Sequence, residues 1–192
     1  MLNSTGKILA ILFHPVFLFF YLIIGLALAD NSLSSQWFQI IGIVFLVTVL
    51  IPVSFTWYTQ KDLFLQNRRQ RLLPLFFGSF CYLAAAWFLR NYGLPGFIFP
   101  FLIAIAVSSI LLALISIKWK ISMHANGMGC MAGLIIYYMP HNPASLELSA
   151  LLVLIMLIVL SQRVLSKAHT IGQVVAGFLL GVTITIAALS IE

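Results

Sequence analysis

The run FIFPFLIAIAVSSILLALISI, Phe97–Ile117, contains no charged side chain. At about 1.5 Å of rise per residue, a helix of that length reaches across the roughly 30 Å hydrocarbon layer of a bilayer. Six more apolar runs accompany it: Ile8–Ala29, Phe38–Tyr58, Leu73–Leu89, Ser122–Met139, Leu148–Leu160 and Thr170–Ile191. The run at Leu148 is short and borrows residues at either end, and the one at Ser122 carries polar residues in its first turns. No alternating pattern competes with these runs, which argues against a barrel. The expected fold is all-α: a polytopic transmembrane helical bundle of about six to seven spans, forming one membrane-embedded domain over residues 1–192.

The composition agrees. Hydrophobic residues make up 62% of the chain and charged ones 7%, with a mean hydropathy of +1.13. A water-soluble domain keeps about a quarter of its residues charged. The net charge of +6 would suggest nucleic acid in a soluble protein. In this chain it points to membrane topology and to an anionic headgroup or substrate, so membrane lipids are the expected partners and nucleic acid is not. Cys81 and Cys130 lie inside apolar runs without metal-like spacing and read as small buried residues. Lys7 precedes an apolar run ending Ala27-Leu28-Ala29, which resembles a signal-peptidase site. The run is longer than a signal core, so a retained helix is expected.

The connections between runs sort onto two faces. One holds Met1–Lys7, Thr59–Leu72, Lys118–Ile121 and Ser161–His169; the other holds Asp30–Trp37, Arg90–Pro95 and Pro140–Glu147. Nine basic residues fall on the first face and only Arg90 on the second, and setting aside three candidate site residues still leaves six against one. Basic residues are retained in the cytoplasm, so the first face is expected to be cytoplasmic, in a membrane of the bacterial inner-membrane type. Trp57, Tyr58 and Trp119 near one face, and Trp37, Trp87, Tyr92, Tyr137 and Tyr138 near the other, suit headgroup depth. Pro15, Pro52 and Pro100 are expected to kink their helices, because each removes a backbone donor.

Three stretches on the basic face carry chemistry: Lys61 to Arg71, with Arg68 and Arg69 between; Ser122-Met123-His124-Ala125-Asn126-Gly127; and Arg163 to Gln173, with His169 between. An even number of crossings separates each from the next, so parity brings Lys61, Arg68, Ser122, His124, Arg163 and His169 to one membrane face. Lys and Arg pair with phosphoryl oxygens, Arg through a bidentate fork. Ser122 and the amides opening its helix add donors that suit an anion. Two imidazoles, titrating near neutral pH, can supply a nucleophile and an acid. His169 and Gln173 are four apart and share a helical face, so Gln173 can orient the ring.

These stretches resemble the signature of the type 2 phosphatidic acid phosphatase superfamily of membrane lipid phosphatases. Its first motif is Lys-x6-Arg-Pro, and Lys61 and Arg68 keep that spacing while Arg69 replaces the proline. Its second is Pro-Ser-Gly-His, matched in position by Ile121, Ser122, Met123 and His124. Its third is Ser-Arg-x5-His-x3-Asp, matched by Gln162, Arg163, His169 and Gln173. The resemblance implies that His169 attacks phosphorus to form a phosphohistidine and that His124 protonates the leaving alkoxide. It further implies that Lys61, Arg68, Ser122 and Arg163 hold the phosphoryl oxygens, with no metal or other cofactor. Gln173 stands where the family has Asp. Its amide oxygen can accept from the imidazole N–H, but it cannot offset charge developing on the ring.

Single residues have plainer readings. Arg69, Arg71, Lys118, Lys120 and Lys167 read as topology and headgroup charges. His14 is an ionisable residue inside an apolar run, a functional signal by default, but it precedes Pro15 and reads first as a partner for backbone groups. Gly177 and Gly181, one turn apart, suit close helix packing. Three readings stand. The first is a phosphatase acting on a lipid or isoprenoid phosphate. The second is an attenuated member of the family that binds phosphorylated lipid. The third is a small membrane transporter or scaffold whose charges set topology.

Overall fold

Each apolar run becomes a helix, because a backbone without water must satisfy its polar groups within its own segment. The structure, a computed structural model, describes residues 11–29, 35–60, 67–138 and 146–191. Among these, the helices are α1 (Pro15–Ala29), α2 (Ser35–Gln60), α3 (Leu72–Leu89), α4 (Ile98–Ser116), α5 (Met123–Tyr138), α6 (Leu146–Leu165) and α7 (Ile171–Leu189), with no strand. A 3-10 turn, Arg68–Arg71, leads into α3. Four of the helical stretches are long and apolar enough to cross a membrane: Ser35–Gln60, Arg68–Leu89, Ile98–Ser116 and Ile171–Leu189. Pro15–Leu28 and Ser149–Leu165 are apolar but shorter.

The prolines act differently from expectation in two of three places. Pro15 is the first residue of α1, and Pro100 lies in the first turn of α4. Helical amides there have no partner within the helix, so a missing N–H costs little. The apolar run beginning at Ile8 is instead broken at Phe13 and His14, just before Pro15. Only Pro52 sits inside a helix. The turn before it, Phe45–Leu50, widens to π geometry, with the Ile51 N–H reaching the Leu46 carbonyl. Widening relieves the clash between the proline ring and the carbonyl four residues back.

Helix α5 is the centre. Its residues from Met123 to Asn126 and from Met128 to Leu134 are all buried. Surrounded by protein, it needs no apolar outer face, which explains why the polar Asn126 and five alanine or glycine positions fit within it. Asn126 is satisfied by Ser108 of α4, whose hydroxyl lies 2.7 Å from the amide oxygen. The outer helices show the reverse pattern. Phe38, Phe80 and Trp87 are exposed, Phe80 by 70%, while Phe19, Ile23, Phe101, Leu102 and Met128 form the buried core. Large apolar side chains outside and small polar ones inside suit a lipid surround.

Candidate active site

Helices α5 and α7 approach until their backbones touch. A Cβ added at Gly181 would lie 2.2 Å from the Asn126 carbonyl oxygen and 2.6 Å from the Cys130 nitrogen. At Gly129 it would lie 2.1 Å from the Phe178 carbonyl oxygen, and at Gly177 2.6 Å from that of Ser122. Glycines spaced by four on both helices therefore fix one register, the small-residue packing of apolar helices. The register is tied at one end by the Ser122 N–H, which donates to the Gln173 carbonyl at 3.2 Å. This bond joins the second and third motifs directly.

Both helices are capped at this end. The fully buried Ser122 hydroxyl accepts the Ala125 N–H of α5 at 3.3 Å. Thr170 and Gln173 form a reciprocal capping box on α7: the Thr170 hydroxyl accepts the Gln173 N–H at 3.4 Å, and Gln173 Oε1 accepts the Thr170 N–H at 3.2 Å. Gln173 Oε1 also lies 3.2 Å from His169 Nδ1. The cap settles the amide's orientation, because an atom accepting from a backbone N–H must be the oxygen. Against that oxygen the His169 ring acts as donor when Nδ1 carries the proton, and the Lys120 backbone is a second hydrogen-bond partner of the same ring.

His169 is buried and lies close enough to Arg71 and Lys120 for their charges to act on it. Burial, then Arg71, lowers its pKa to about 4. Hydrogen bonds with Gln173 and with the Lys120 backbone act in the opposite direction without reversing the shift. Burial, then Arg71, also lowers the pKa of Lys120. Positive charge gathered around a neutral imidazole is a setting that an arriving anion would relieve.

Arg68 and Arg71 stand three apart on a 3-10 turn, where such side chains share one face. Arg68 donates to the Lys118 carbonyl, and Arg71 donates to the Ile121 carbonyl at 3.1 Å. The two guanidinium groups thus clamp the connector between α4 and α5. Arg68 remains partly exposed, whereas Arg71 is buried at 3% exposure.

Arg163 is also buried, near the end of α6, where its Nε donates to Gln162 Oε1 at 2.5 Å. Its carbonyl accepts the His169 N–H at 3.2 Å, so the α6–α7 turn folds back on itself. Lys167 makes the reversal possible with a left-handed φ of 54°. The Arg163 charge acts on His14, and the rings of His14 and His124 meet edge to face, with centroids 5.3 Å apart at 84°.

The predicted residues therefore fall into two neighbouring groups. His169 and Gln173 sit with Arg71 and Lys120. His124 and Arg163 sit with His14. Backbone bonds from Ser122 to Gln173 and from His169 to Arg163 join the groups. Ser122 is present at the junction, but its hydroxyl serves the α5 cap. Arg68 lies on the outer side of the clamp, and Lys61 lies outside the described residues. The sequence reading gave Arg71, Lys120 and His14 no part in the site. Only His14 carried a signal, as a titratable side chain in an apolar run.

Beside the second group lies a cavity of about 230 Å³, bounded by α1 to α5. His14, Met123 and Asn126 line it together with Pro52, Tyr82 and Phe101, so its walls are chiefly apolar and the histidine group stands on its border. No group of three His, Cys, Asp or Glu side chains among the described residues could hold a metal ion.

No curated protein and no solved structure matches the chain. Residues 115–192 match the family model of the PAP2 superfamily. The matched part begins after the 3-10 turn and contains both histidine motifs, and the first motif lies outside it. The match supports phosphatase-type chemistry. The residues similar to that family include His124 at the head of α5 and His169 before α7.

Proposed function

We propose that the chain is an integral membrane phosphatase, one helical domain of six to seven spans, that removes phosphate from a lipid or isoprenoid phosphate. The observation that carries this reading is the His169–Gln173 contact: a buried imidazole with the Gln173 amide oxygen against Nδ1, beside Arg71 and Lys120. His169 Nε2 attacks phosphorus, the P–N bond forms, and the P–O ester bond breaks. His124 gives its proton to the departing alkoxide. Water then attacks the phosphohistidine, His124 takes a proton from it, and inorganic phosphate leaves as the P–N bond breaks. Arg71, Arg163 and Lys120 balance the phosphoryl charge, with Lys61 and Arg68 as the further cations of the first motif. The apolar cavity beside His14 and Met123 suits a hydrocarbon chain. The basic end faces the cytoplasm, following the nine-to-one bias.

A second reading rests on Gln173. Its oxygen is shared between the Thr170 N–H and His169, and it brings no negative charge to stabilise an imidazolium. A site that binds a phosphorylated lipid without turnover would keep the same residues. Phosphate release from a panel of lipid phosphates in detergent micelles separates the two. Wild type should release phosphate, and His169→Ala should lose at least on the order of 10³ in kcat, as removal of a nucleophile does elsewhere. Unchanged hydrolysis in that variant would remove His169 as nucleophile. Saturable binding without release by the wild type would favour the binder.

A further inference from the structure

His14 belongs to none of the three motifs and lies outside residues 115–192, yet its ring touches that of His124. We propose that His14 is a positioning residue that holds the His124 imidazole edge-on at the border of the apolar cavity, with its own proton kept on Nε2. The inference rests on the reading of His124 as the acid of a phosphatase site.

Helix α1 opens with Pro15, which has no N–H. The next two amides are both taken up by His14: Val16 N–H donates to Nδ1 at 3.4 Å, and Phe17 N–H donates to the carbonyl at 2.9 Å. A nitrogen accepting from a backbone amide carries the lone pair, so the neutral ring places its hydrogen on Nε2. The cap therefore fixes both tautomer and ring plane.

The seat is also tight from the side of α5. A Cβ at Gly127 would lie 3.1 Å from Pro15 Cβ and 3.0 Å from Leu18 Cδ1, so the start of α1 rests on α5 within a turn of His124. His14 thus cannot drift along α5, and its ring meets His124 at 84° with centroids 5.3 Å apart, within the range of edge-to-face pairs. Beside the His124 ring of α5, the Arg163 guanidinium of α6 also acts on His14. Part of the same ring lines the cavity. A hydrocarbon chain entering there would meet the residue that sets the acid's orientation.

Two substitutions separate the roles that His14 combines. His14→Asn keeps a good helix cap and removes the ring, whereas His14→Phe keeps a ring and removes the cap. Phosphatidic acid in detergent micelles is the probe, with kcat and KM measured separately. His14→Asn should lower kcat by roughly tenfold, the upper end of an aromatic pair's contribution, with KM little changed. His14→Phe should stay within about threefold of wild type. The reverse order, Asn active and Phe impaired, would make His14 a cap alone and overturn the proposal.

A second measurement needs no turnover. Nitrogen-15 NMR of histidine-labelled protein in micelles should show His14 protonated on Nε2, and the His124 ring signals should move in His14→Asn while staying in place in His14→Phe. His124 signals that are the same in all three proteins would end the idea. If the wild type hydrolyses nothing, the phosphatase reading fails, and the NMR result alone decides whether His14 positions His124.

Discussion

The two sides of α5 are built on opposite terms. Towards α7 the helices meet backbone to backbone, with Gly129, Gly133, Gly177 and Gly181 leaving no room for a methyl group. Towards α2 and α3, past the seat of α1, the same helix faces a cavity of about 230 Å³, and Gly78 on the far wall has nothing within 4 Å of where a Cβ would stand. The tight side holds the two motif histidines' helices in one register. The open side leaves space beside one of those histidines. A single helix thus supplies precision for chemistry on one flank and volume for a ligand on the other.

The largest expected effect tests the tight flank. Gly181→Ala would drive a methyl group into backbone atoms of α5, which cannot rotate away as a side chain can. Overpacking costs about 1–3 kcal/mol even where side chains can yield, so loss of the folded protein is expected, read as the thermal unfolding midpoint in micelles. Gly78→Ala is the counterpart on the open flank. Alanine is better than glycine inside a helix by roughly 0.5–1 kcal/mol, so this variant should melt at or above the wild-type temperature. Equal melting of both variants would break the comparison.

Gln173→Glu comes next. The longer acid, rather than Asp, keeps the reach to both His169 Nδ1 and the Thr170 N–H, and it preserves the capping box. It adds the negative charge that stabilises a developing imidazolium, so single-turnover phosphate release should rise about tenfold or more, a fraction of the roughly 10⁴ seen when a serine protease's orienting carboxylate is neutralised. No increase, with folding and lipid binding intact, would mean that the amide is adapted to other chemistry.

The smallest effect is a shift in pH. With its pKa lowered to about 4 by burial and by Arg71, His169 stays neutral and nucleophilic as the pH falls below the ordinary histidine range. The acid limb of kcat/KM due to His169 should therefore lie near 4, not near 6.5. Gln173→Glu should move that limb upward, since a carboxylate favours the charged ring. A wild-type limb at the usual histidine position would contradict the buried setting.

Much of this arrangement was legible in the sequence. The apolar runs locate the helices closely: Leu73–Leu89 became Leu72–Leu89, and Phe97–Ile117 became Ile98–Ser116. His169 and Gln173 do meet, but not on one helical face as their spacing suggests: His169 precedes α7, and the contact is made by the amide that closes the Thr170 capping box. Arg71 was not legible. Three arginines in a row of four give no local sign of which one turns inward, and that choice is made by the connector carbonyls at Lys118 and Ile121, fifty residues away. Pro15 and Pro100 were misread because a proline's effect depends on whether it opens a helix or interrupts one. His14 showed its charge type in the sequence but not its neighbour, since the neighbour is set by how α1 lies on α5.

The π turn before Pro52 contains, in effect, one residue more than an α-helix would use there. Pro52, Val53 and Thr56, which follow it, all face the cavity. An α-helix advances about 100° per residue. Deleting one residue between Phe45 and Leu50 would leave a helix of nearly the same length and hydropathy. Because the widened turn spends its extra residue on the same rotation, the shortened segment would close as an ordinary α turn with those three side chains still facing the cavity, and the Pro52 ring would again press on the carbonyl four residues back. The extra residue thus serves the proline: it lets a residue that ordinarily breaks helices stand in the cavity wall, and a descendant that lost it would keep the wall's outline while carrying the strain at Pro52.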